Sequence, residues 1–338
     1  MPAGRTMHIR ASIFLPTTRP TLPDAARHAP ASPEPRARSP AMRNAVPRVA
    51  AIHDLSGFGR TSLTVAIPVL SAMGAQVCPM PTAVLSTHTA GFTGYSFLDL
   101  TDQMRLFLDH WQALNLKFDA VYSGFLGSPA QVDIVARCID MCRVEGGLAV
   151  VDPVLGDNGQ LEPTMDMEMV QRMRWLVRKA DIITPNFTEA ALLLDEPYRE
   201  SISQPELKDW LRRLTGMGPR VAVITSVPVA GHAGVSSVAA YHSTHDRFWK
   251  VDCQYIPAHY PGTGDTFASV LTGSLLQGDS LPIAMDRAVH FVTLGIRATF
   301  GHNSPSREGI LLERVLDTLR APVTVSSYEL LEDEDRCK

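Results

Sequence analysis

The sequence predicts an α/β protein of three layers, in which a mostly parallel central sheet is covered by helices on both faces. Two observations predict this class. From residue 49 onward, short apolar strands alternate with segments of helical spacing, as in repeated βαβ units. Polar residues also follow four of the predicted strands at their carboxyl ends, where open parallel sheets bind ligands. A chain of 338 residues, 45% hydrophobic and 20% charged, is long enough to bury a sizeable core.

The first half of the folded region contains four predicted strands. RVAAI (48–52) is followed by a glycine turn and the helical segment TSLTVAIPVLSAMG. The strand QVCPMPTAVL then precedes a helix over 99–114, and FDAVYSGFLG is typical of a strand that leads into a loop. The next helix is predicted to begin with Ser128 as N-cap and Pro129 at its first position. LAVVDPVLGD predicts a buried strand that ends in a polar loop.

The second half continues the alternation and then departs from it. An amphipathic helix, MEMVQRMRWLVRKA, is followed by the strand DIITPN, a further helix with Thr188 as its expected N-cap, and the strand PRVAVITS. Residues 233–253 instead predict an antiparallel hairpin, and two helices are expected over 263–278 and 281–300.

The two ends of the chain differ from the folded region, which we predict over 48–322. Residues 1–47 hold nine of the 25 prolines and no lysine, which predicts a disordered basic extension. Two other interpretations stay open for it, namely an organellar targeting peptide, which the arginines favour and the prolines disfavour, and a translation start at Met42. Residues 323–338 predict an acidic, solvated tail.

Charge and cysteine content exclude several classes of function. Residues 1–48 carry eight arginines against Asp24 and Glu34 within a total charge of −4, so the remainder is clearly acidic and does not favour nucleic-acid binding. No apolar run is long enough to cross a membrane. The five cysteines are scattered and lack zinc-site spacing, which indicates free thiols and a cytoplasmic protein.

The stretch PGTGDTFASVLTG (261–273) carries the strongest chemical signal. Gly262 and Gly264 allow backbone N–H groups to converge, and the helix that follows adds its dipole, so the stretch predicts an anion site. Asp265 alone is ambiguous, because a carboxylate is favourable in the first turn of any helix. Beside a bound phosphate, however, it would serve as a base that takes a proton from an attacking hydroxyl group.

Two further loops supply oxygen ligands. DPVLGDNG places Asp152 and Asp157 at a strand end, and ITPNFTEA adds Asn186 and Glu189. Turn formation and helix capping explain these residues equally well in isolation. Carboxylates from two such loops could also hold Mg²⁺, which keeps several waters and uses few protein ligands.

Other motifs are weaker or absent. The sequence has no P-loop, and IHDLSGFGRTSL matches a dinucleotide fingerprint only in Gly57 and Gly59, with Ser62 at the third small position. Dinucleotide binding is therefore disfavoured. In LSTHTAG, His88 is a candidate ligand contact, capping group or core histidine.

Taken together, these motifs resemble the ribokinase superfamily and specifically its vitamin B6 kinase branch, from about Val49 to Thr299. GTGD is the signature of the superfamily, and its combination in order and spacing with DPVLGD, ITPN, ITS and STHT is highly specific. The resemblance implies a ribokinase-like fold and ATP-dependent phosphorylation of the 5′-hydroxymethyl group of pyridoxal, pyridoxamine or pyridoxine. It also implies Mg²⁺, K⁺ and a homodimer.

The resemblance assigns a role to each matching residue. Asp265 would be the catalytic base. The anion hole for the transferred phosphoryl group would be formed by Gly262, Thr263 and Gly264. The nucleotide phosphates would be contacted by Asp157, Asn186, Glu189, Thr225 and Ser226. Mg²⁺ would be held by Asp157 and Glu189, and K⁺ would lie near Thr225 and Ser226. The pyridine substrate would contact Asp54, Ser56, His88 and Thr89.

Departures from the family pattern concern the substrate end. Asp54 stands where a substrate-contacting serine is expected, with Ser56 as the rival position, and a carboxylate there slightly favours pyridoxamine. Phe125 replaces a frequent tyrosine, and Ala90 replaces a frequent glycine. Two alternatives stay open: a hydroxymethylpyrimidine kinase, which typically has cysteine in place of Asp265, and a non-catalytic carrier of pyridoxal phosphate.

Overall fold

The structure is a computed structural model that describes residues 45–228, 236–253, 256, 258–302, 304–321 and 326–331. Most of the predicted basic extension and of the predicted acidic tail lies outside the described residues, as do the first three residues of the predicted hairpin. The expected domain boundaries at 48 and 322 therefore stay a prediction.

Strands and helices alternate along the described chain. The strands are β1 (Arg48–Ser56), β2 (Gln76–Leu85), β3 (Phe97–Asp99), β4 (Phe118–Ser123), β5 (Arg143–Val151), β6 (Gly156–Asp157), β7 (Gln160–Leu161), β8 (Ile182–Ile183), β9 (Val221–Pro228), β10 (Ser236–His242), β11 (Arg247–Asp252) and β12 (Glu329–Leu330). The helices are α1 (Leu63–Ala72), α2 (Thr101–Ala113), α3 (Pro129–Cys142), α4 (Met167–Leu176), α5 (Phe187–Leu194), α6 (Gln204–Gly216), α7 (Thr263–Gln277) and α8 (Leu281–Phe300).

The central sheet has ten strands in the described residues, in the order β12-β11-β10-β9-β8-β5-β4-β1-β2-β3. The six inner strands from β9 to β2 pair in parallel, whereas β3 and the β10–β11–β12 meander pair antiparallel. The mostly parallel sheet and the antiparallel hairpin predicted from the sequence are both confirmed. Because the inner strands are parallel, their carboxyl ends lie along the same edge of the sheet.

A hydrophobic core lies on each face of the sheet, between the sheet and a layer of helices, so the protein has three layers. Alternate residues of each strand face opposite layers: Ala149 and Val151 belong to one core, and Val150 belongs to the other. The first core includes apolar side chains of α2 to α6, and the second includes those of α1, α7 and α8. The three-layer α/β/α ribokinase-like architecture is thus confirmed.

Helix caps explain where the helices next to the loops begin. Ser128 is the N-cap of α3 and Pro129 its first residue, as predicted. The cap of α5 differs from the prediction, because Asn186 and not Thr188 is the N-cap: the Asn186 side chain accepts from the Glu189 N–H, and the Glu189 carboxylate accepts from the Asn186 N–H. Thr188 instead accepts a hydrogen bond from the Gly159 N–H.

The predicted solvated tail is partly ordered against the sheet. Glu329 and Leu330 form β12, which pairs with β11 at the sheet edge. Just before it, the backbone N–H and the hydroxyl group of Ser327 both donate to Asp286. An open sheet edge offers backbone hydrogen bonds, and these order a short part of a segment whose charge alone predicts solvation. In the described chain, no helix has the length and apolar character that crossing a membrane requires.

Candidate active site

A cavity of about 830 Å³ lies at the carboxyl ends of the parallel strands. Its walls come from the loops after β1, β2, β4, β5 and β8, from residues of β9 and β10, from the start of α7 and from one face of α8. All predicted site residues line this cavity except Ser56. The parallel topology therefore brings together residues that are more than 200 positions apart in the sequence.

The two glycines of the GTGD motif are present for different structural reasons. Gly262 is the N-cap of α7 with φ +79°, and a Cβ atom there would lie 2.0 Å from the carbonyl oxygen of Arg60. At Gly264 a Cβ atom would meet no protein atom within 4 Å, because this exposed position faces open space in the cavity wall. Gly262 is thus required by the close approach of two loops, whereas Gly264 leaves space that a ligand can enter.

The first turn of α7 gives the site an anion-binding character. The first N–H groups of any α-helix have no acceptor within the helix, and the helix dipole adds partial positive charge there. The Thr263 hydroxyl group donates to the carbonyl oxygen of Tyr260, which fixes the loop that enters the helix. The predicted anion hole of Gly262, Thr263 and Gly264 therefore lies on the cavity wall with donors directed at open space.

Asp265 follows directly and is held by a distant loop. Its carboxylate accepts a 2.8 Å hydrogen bond from the backbone N–H of Ser62, a residue with φ +51° at the start of α1. Burial, and secondarily the negative charge of Asp54, raise the pKa of Asp265 to about 6, against the lowering effect of the Ser62 N–H. A carboxylate with this pKa is ionised at neutral pH and still accepts a proton readily.

At the end of the cavity where the substrate is expected, the two candidate residues of β1, Asp54 and Ser56, differ in whether they reach the cavity. Asp54 lines the cavity, whereas the hydroxyl group of Ser56 lies behind it and donates to the Asp54 carboxylate over 3.1 Å. Burial raises the pKa of Asp54, although hydrogen bonds from Ser62 and Ser56 oppose this effect. The expectation that Ser56 contacts a ligand directly therefore does not fit this arrangement.

His88 is fixed by a contact with the C-terminal part of the chain. Its Nε2 lies 2.7 Å from the carbonyl oxygen of Arg307, so Nε2 carries the proton, and Nδ1 is buried without a partner in the described structure. Burial lowers the pKa of His88, which keeps the ring neutral. Gly59 makes room for the ring, because a Cβ atom there would lie 2.3 Å from His88 Cδ2. Thr89 and Phe125 line the same end.

The opposite end holds most of the carboxylates. Asp157 is 43% exposed, and both of its oxygens contact Asn158. Glu189 is buried, and its two oxygens accept backbone hydrogen bonds from Leu155 and Asn186, so its pKa is raised mainly by burial. Among the residues that the structure describes, no three acidic, histidine or cysteine side chains are grouped to hold a metal ion unaided.

Thr225 and Ser226 lie in the second half of β9, at the same edge of the cavity. The Thr225 N–H donates to the carbonyl oxygen of Pro185, which ties this part of the strand to the loop before α5. Ser226 has φ +56°, a conformation that costs a non-glycine residue free energy and is often found at binding sites. Both residues line the cavity, as predicted.

The structure also brings residues to the site that the resemblance gave no role, although Asp152 was named above as a candidate oxygen ligand. Asp152 is buried, accepts a 2.9 Å hydrogen bond from the Thr184 hydroxyl group, and has a pKa raised to about 7 by burial and by Asp265. Ser62 and His259 line the cavity as well. Asp152 lies in a quoted motif and His259 stands three residues before Gly262, so proximity to the motifs was the available signal for both.

The fold and this site define a class of small-molecule kinases, and the comparisons identify the family. The chain belongs to the phosphomethylpyrimidine kinase family, whose model matches residues 66–307, within the ribokinase-like superfamily. A pyridoxine/pyridoxal/pyridoxamine kinase of Bordetella bronchiseptica is 30% identical over 267 residues, which are 76% of this chain and 90% of that protein. A thiamine biosynthetic bifunctional enzyme of Arabidopsis thaliana is 26% identical over 251 residues, 73% of this chain but 46% of that enzyme.

Solved structures extend the likeness. A Bacteroides thetaiotaomicron protein, provisionally named a phosphomethylpyrimidine kinase and crystallised with pyridoxal, is 58% identical with a TM-score of 0.82, covering 85% of this chain and 100% of its own. A pyridoxal kinase from Lactobacillus plantarum is 34% identical with a TM-score of 0.75, covering 82% of this chain and 98% of its own.

Proposed function

We propose that this chain transfers the γ-phosphoryl group of ATP to the 5′-hydroxymethyl group of pyridoxal, pyridoxamine or pyridoxine. The observation that carries the proposal is the position of Asp265, an ionisable base on the first turn of α7 and beside backbone N–H donors, in one cavity with a polar substrate end. The related kinases of B6 vitamers and the similar structure with pyridoxal support the same reaction.

Phosphoryl transfer requires removal of a proton and stabilisation of negative charge, and different residues of the site perform these two tasks. Asp265 takes the proton of the hydroxymethyl group as the hydroxymethyl oxygen attacks the γ-phosphorus. The bond between the γ-phosphorus and the β,γ-bridging oxygen breaks, and ADP leaves. The N–H groups of Gly262, Thr263 and Gly264 stabilise the charge on the transferred group. The loops after β5 and β8, together with Thr225 and Ser226 of β9, position the rest of the nucleotide. Such reactions depend mainly on positioning and electrostatic stabilisation.

The acidic end of the cavity fits Mg²⁺ that arrives with the nucleotide. Asp157 is exposed enough to act as a direct ligand, whereas both oxygens of Glu189 are engaged by backbone N–H groups, which favours contact through water. When bound, Mg²⁺ would supply positive charge that offsets the negative charge of the phosphates. Asn186 holds this loop in shape, because its amide group donates to the carbonyl oxygen of Gly156.

The opposite end fits the pyridine ring of a B6 vitamer. His88 and Thr89 lie next to each other on the cavity wall, where the resemblance places contacts to the pyridine ring. Asp54 presents a carboxylate that pairs with a protonated ring nitrogen or an aminomethyl group. We therefore expect pyridoxamine to be used at least as well as pyridoxal.

A turnover assay tests this function against its rivals. Purified protein with Mg-ATP is given pyridoxal, pyridoxamine, pyridoxine or hydroxymethylpyrimidine, and ADP release is measured. We expect turnover with the B6 vitamers, and a loss of orders of magnitude in Asp265→Ala with nucleotide binding retained. Turnover with hydroxymethylpyrimidine alone would favour the thiamine-pathway alternative. Tight binding of pyridoxal phosphate without any turnover would favour a carrier.

K⁺ and a homodimer rest mainly on the family resemblance, and a cytoplasmic location rests on the scattered cysteines. K⁺ near Thr225 and Ser226 predicts that turnover falls when K⁺ is replaced by a bulky organic cation. A cytoplasmic location predicts that cell fractionation recovers the protein with the cytosol. A homodimer gains support from the exposed apolar side chains of Phe97 and Leu98 on the edge strand β3. If this edge is the interface, sedimentation should show a dimer that Leu98→Glu converts to a monomer.

A further inference from the structure

The charges on the cavity wall are strongly unbalanced. Among the described lining residues, the carboxylates are Asp54, Asp152, Asp157, Glu162, Glu189 and Asp265. The same described wall contains neither lysine nor arginine, and its protonatable nitrogens belong to His88 and His259. A nucleotide polyphosphate brings further negative charge into this wall, so its binding depends strongly on every available cation.

The two histidines lie at different ends. His88 is 4% exposed, is bonded to the carbonyl oxygen of Arg307 and packs edge-on against Phe92, so it belongs to the substrate end. His259 has a side chain that is 75% exposed, and its Nε2 lies 3.9 Å from the Asp157 carboxylate. It stands three residues before Gly262 in the loop that enters α7.

We infer that His259 is a phosphate-contacting residue, whose imidazole N–H group binds the terminal phosphates of the nucleotide between Asp157 and the anion loop. This inference rests on the proposed function, because it assumes a nucleotide in the cavity. The side chain is exposed enough to turn from Asp157 to a phosphate oxygen without disturbing the core. A hydrogen bond from the imidazole N–H group to an ionised phosphate oxygen is charge-assisted, and such bonds are shorter and stronger than neutral ones.

Nucleotide titrations test the inference directly. The dissociation constants of Mg-ADP and of adenosine are measured by calorimetry for the wild type, His259→Ala, His259→Gln and His259→Lys. We expect the Ala and Gln variants to bind Mg-ADP about tenfold more weakly and adenosine unchanged, and the Lys variant to keep Mg-ADP affinity within about threefold of the wild type. His110→Ala, an exposed position on α2 remote from the cavity lining, is the matched control.

Each other result has a separate meaning. Unchanged Mg-ADP affinity in His259→Ala would overturn the inference, and so would a Lys variant that binds as weakly as the Ala variant. Equal loss of adenosine affinity would show that the residue acts on the loop or on the nucleoside and not on phosphate. If the wild type neither binds Mg-ADP nor phosphorylates a B6 vitamer, the proposed function itself fails.

Discussion

Replacing Asp265 by asparagine should stabilise the protein while it abolishes most of its activity. The substitution keeps the shape of the side chain and leaves an oxygen to accept the Ser62 N–H, but it removes the charge. In the folded protein the pKa of Asp265 is about 6 against an ordinary value of 3.8. Above pH 6 the folded state therefore holds an unfavourable charge, which corresponds to at most about 3 kcal/mol.

The expected gain depends on pH in a defined way. Because the folded pKa is raised, the penalty is absent below the ordinary pKa, grows as the pH rises, and is complete above pH 6. The side chain is partly accessible to solvent, so we expect the free energy of unfolding of Asp265→Asn to rise by about 1 to 3 kcal/mol at pH 8. At pH 4.5 the gain should be about a third as large.

Urea unfolding at the two pH values, with turnover measured in parallel, checks this prediction. Turnover should fall by about 10²- to 10⁴-fold, because the proton acceptor is lost. Asp209→Asn, on the surface of α6, is the control and should change stability by about 0.5 kcal/mol or less at either pH. A destabilised Asp265→Asn protein, a gain that does not depend on pH, or near-normal turnover would refute the reasoning.

Four other substitutions address neighbouring parts of the site. Asp54→Asn should shift the acidic limb of the pH profile of kcat/KM to lower pH, because loss of the neighbouring negative charge lowers the pKa of Asp265; an unchanged limb would contradict this coupling. Gly262→Ala should unfold at lower urea concentration and lose activity, whereas Gly264→Ala should keep its stability and lose activity alone, as circular dichroism and turnover would show. Asp157→Asn should raise the Mg²⁺ concentration needed for half-maximal turnover about tenfold, with adenosine binding unchanged in a titration.

Sequence patterns predicted the fold well because its signals are local. Apolar periodicity located the inner strands and the helices around them, and the carboxyl-end rule for parallel sheets placed the polar loops in one cavity. The predicted N-cap of α5 was wrong because asparagine and threonine are both favourable N-cap residues, and the sequence offers Asn186 and Thr188 two positions apart. Only the backbone geometry selects the residue whose side chain reaches the correct N–H group.

Contacts between distant segments could not be predicted from local patterns. Whether Asp54 or Ser56 faces the cavity depends on the course of β1, whose pairing with β2 is irregular between His53 and Leu55. The ordered part of the tail depends on an unpaired edge at β11, which becomes visible only when the whole sheet is assembled. His259 belongs to no motif. Its candidate role depends on its position beside Asp157 on the cavity wall, which only the folded structure shows.

The hydrogen bond from Ser62 to Asp265 joins residues 203 positions apart. The ribosome therefore synthesises the strands from β1 to β9 well before it adds Asp265 and the residues of the anion loop. An unfinished chain lacks both groups and cannot consume nucleotide. Enzymatic competence consequently requires nearly the whole chain, because the base is synthesised after most of the strands and helices.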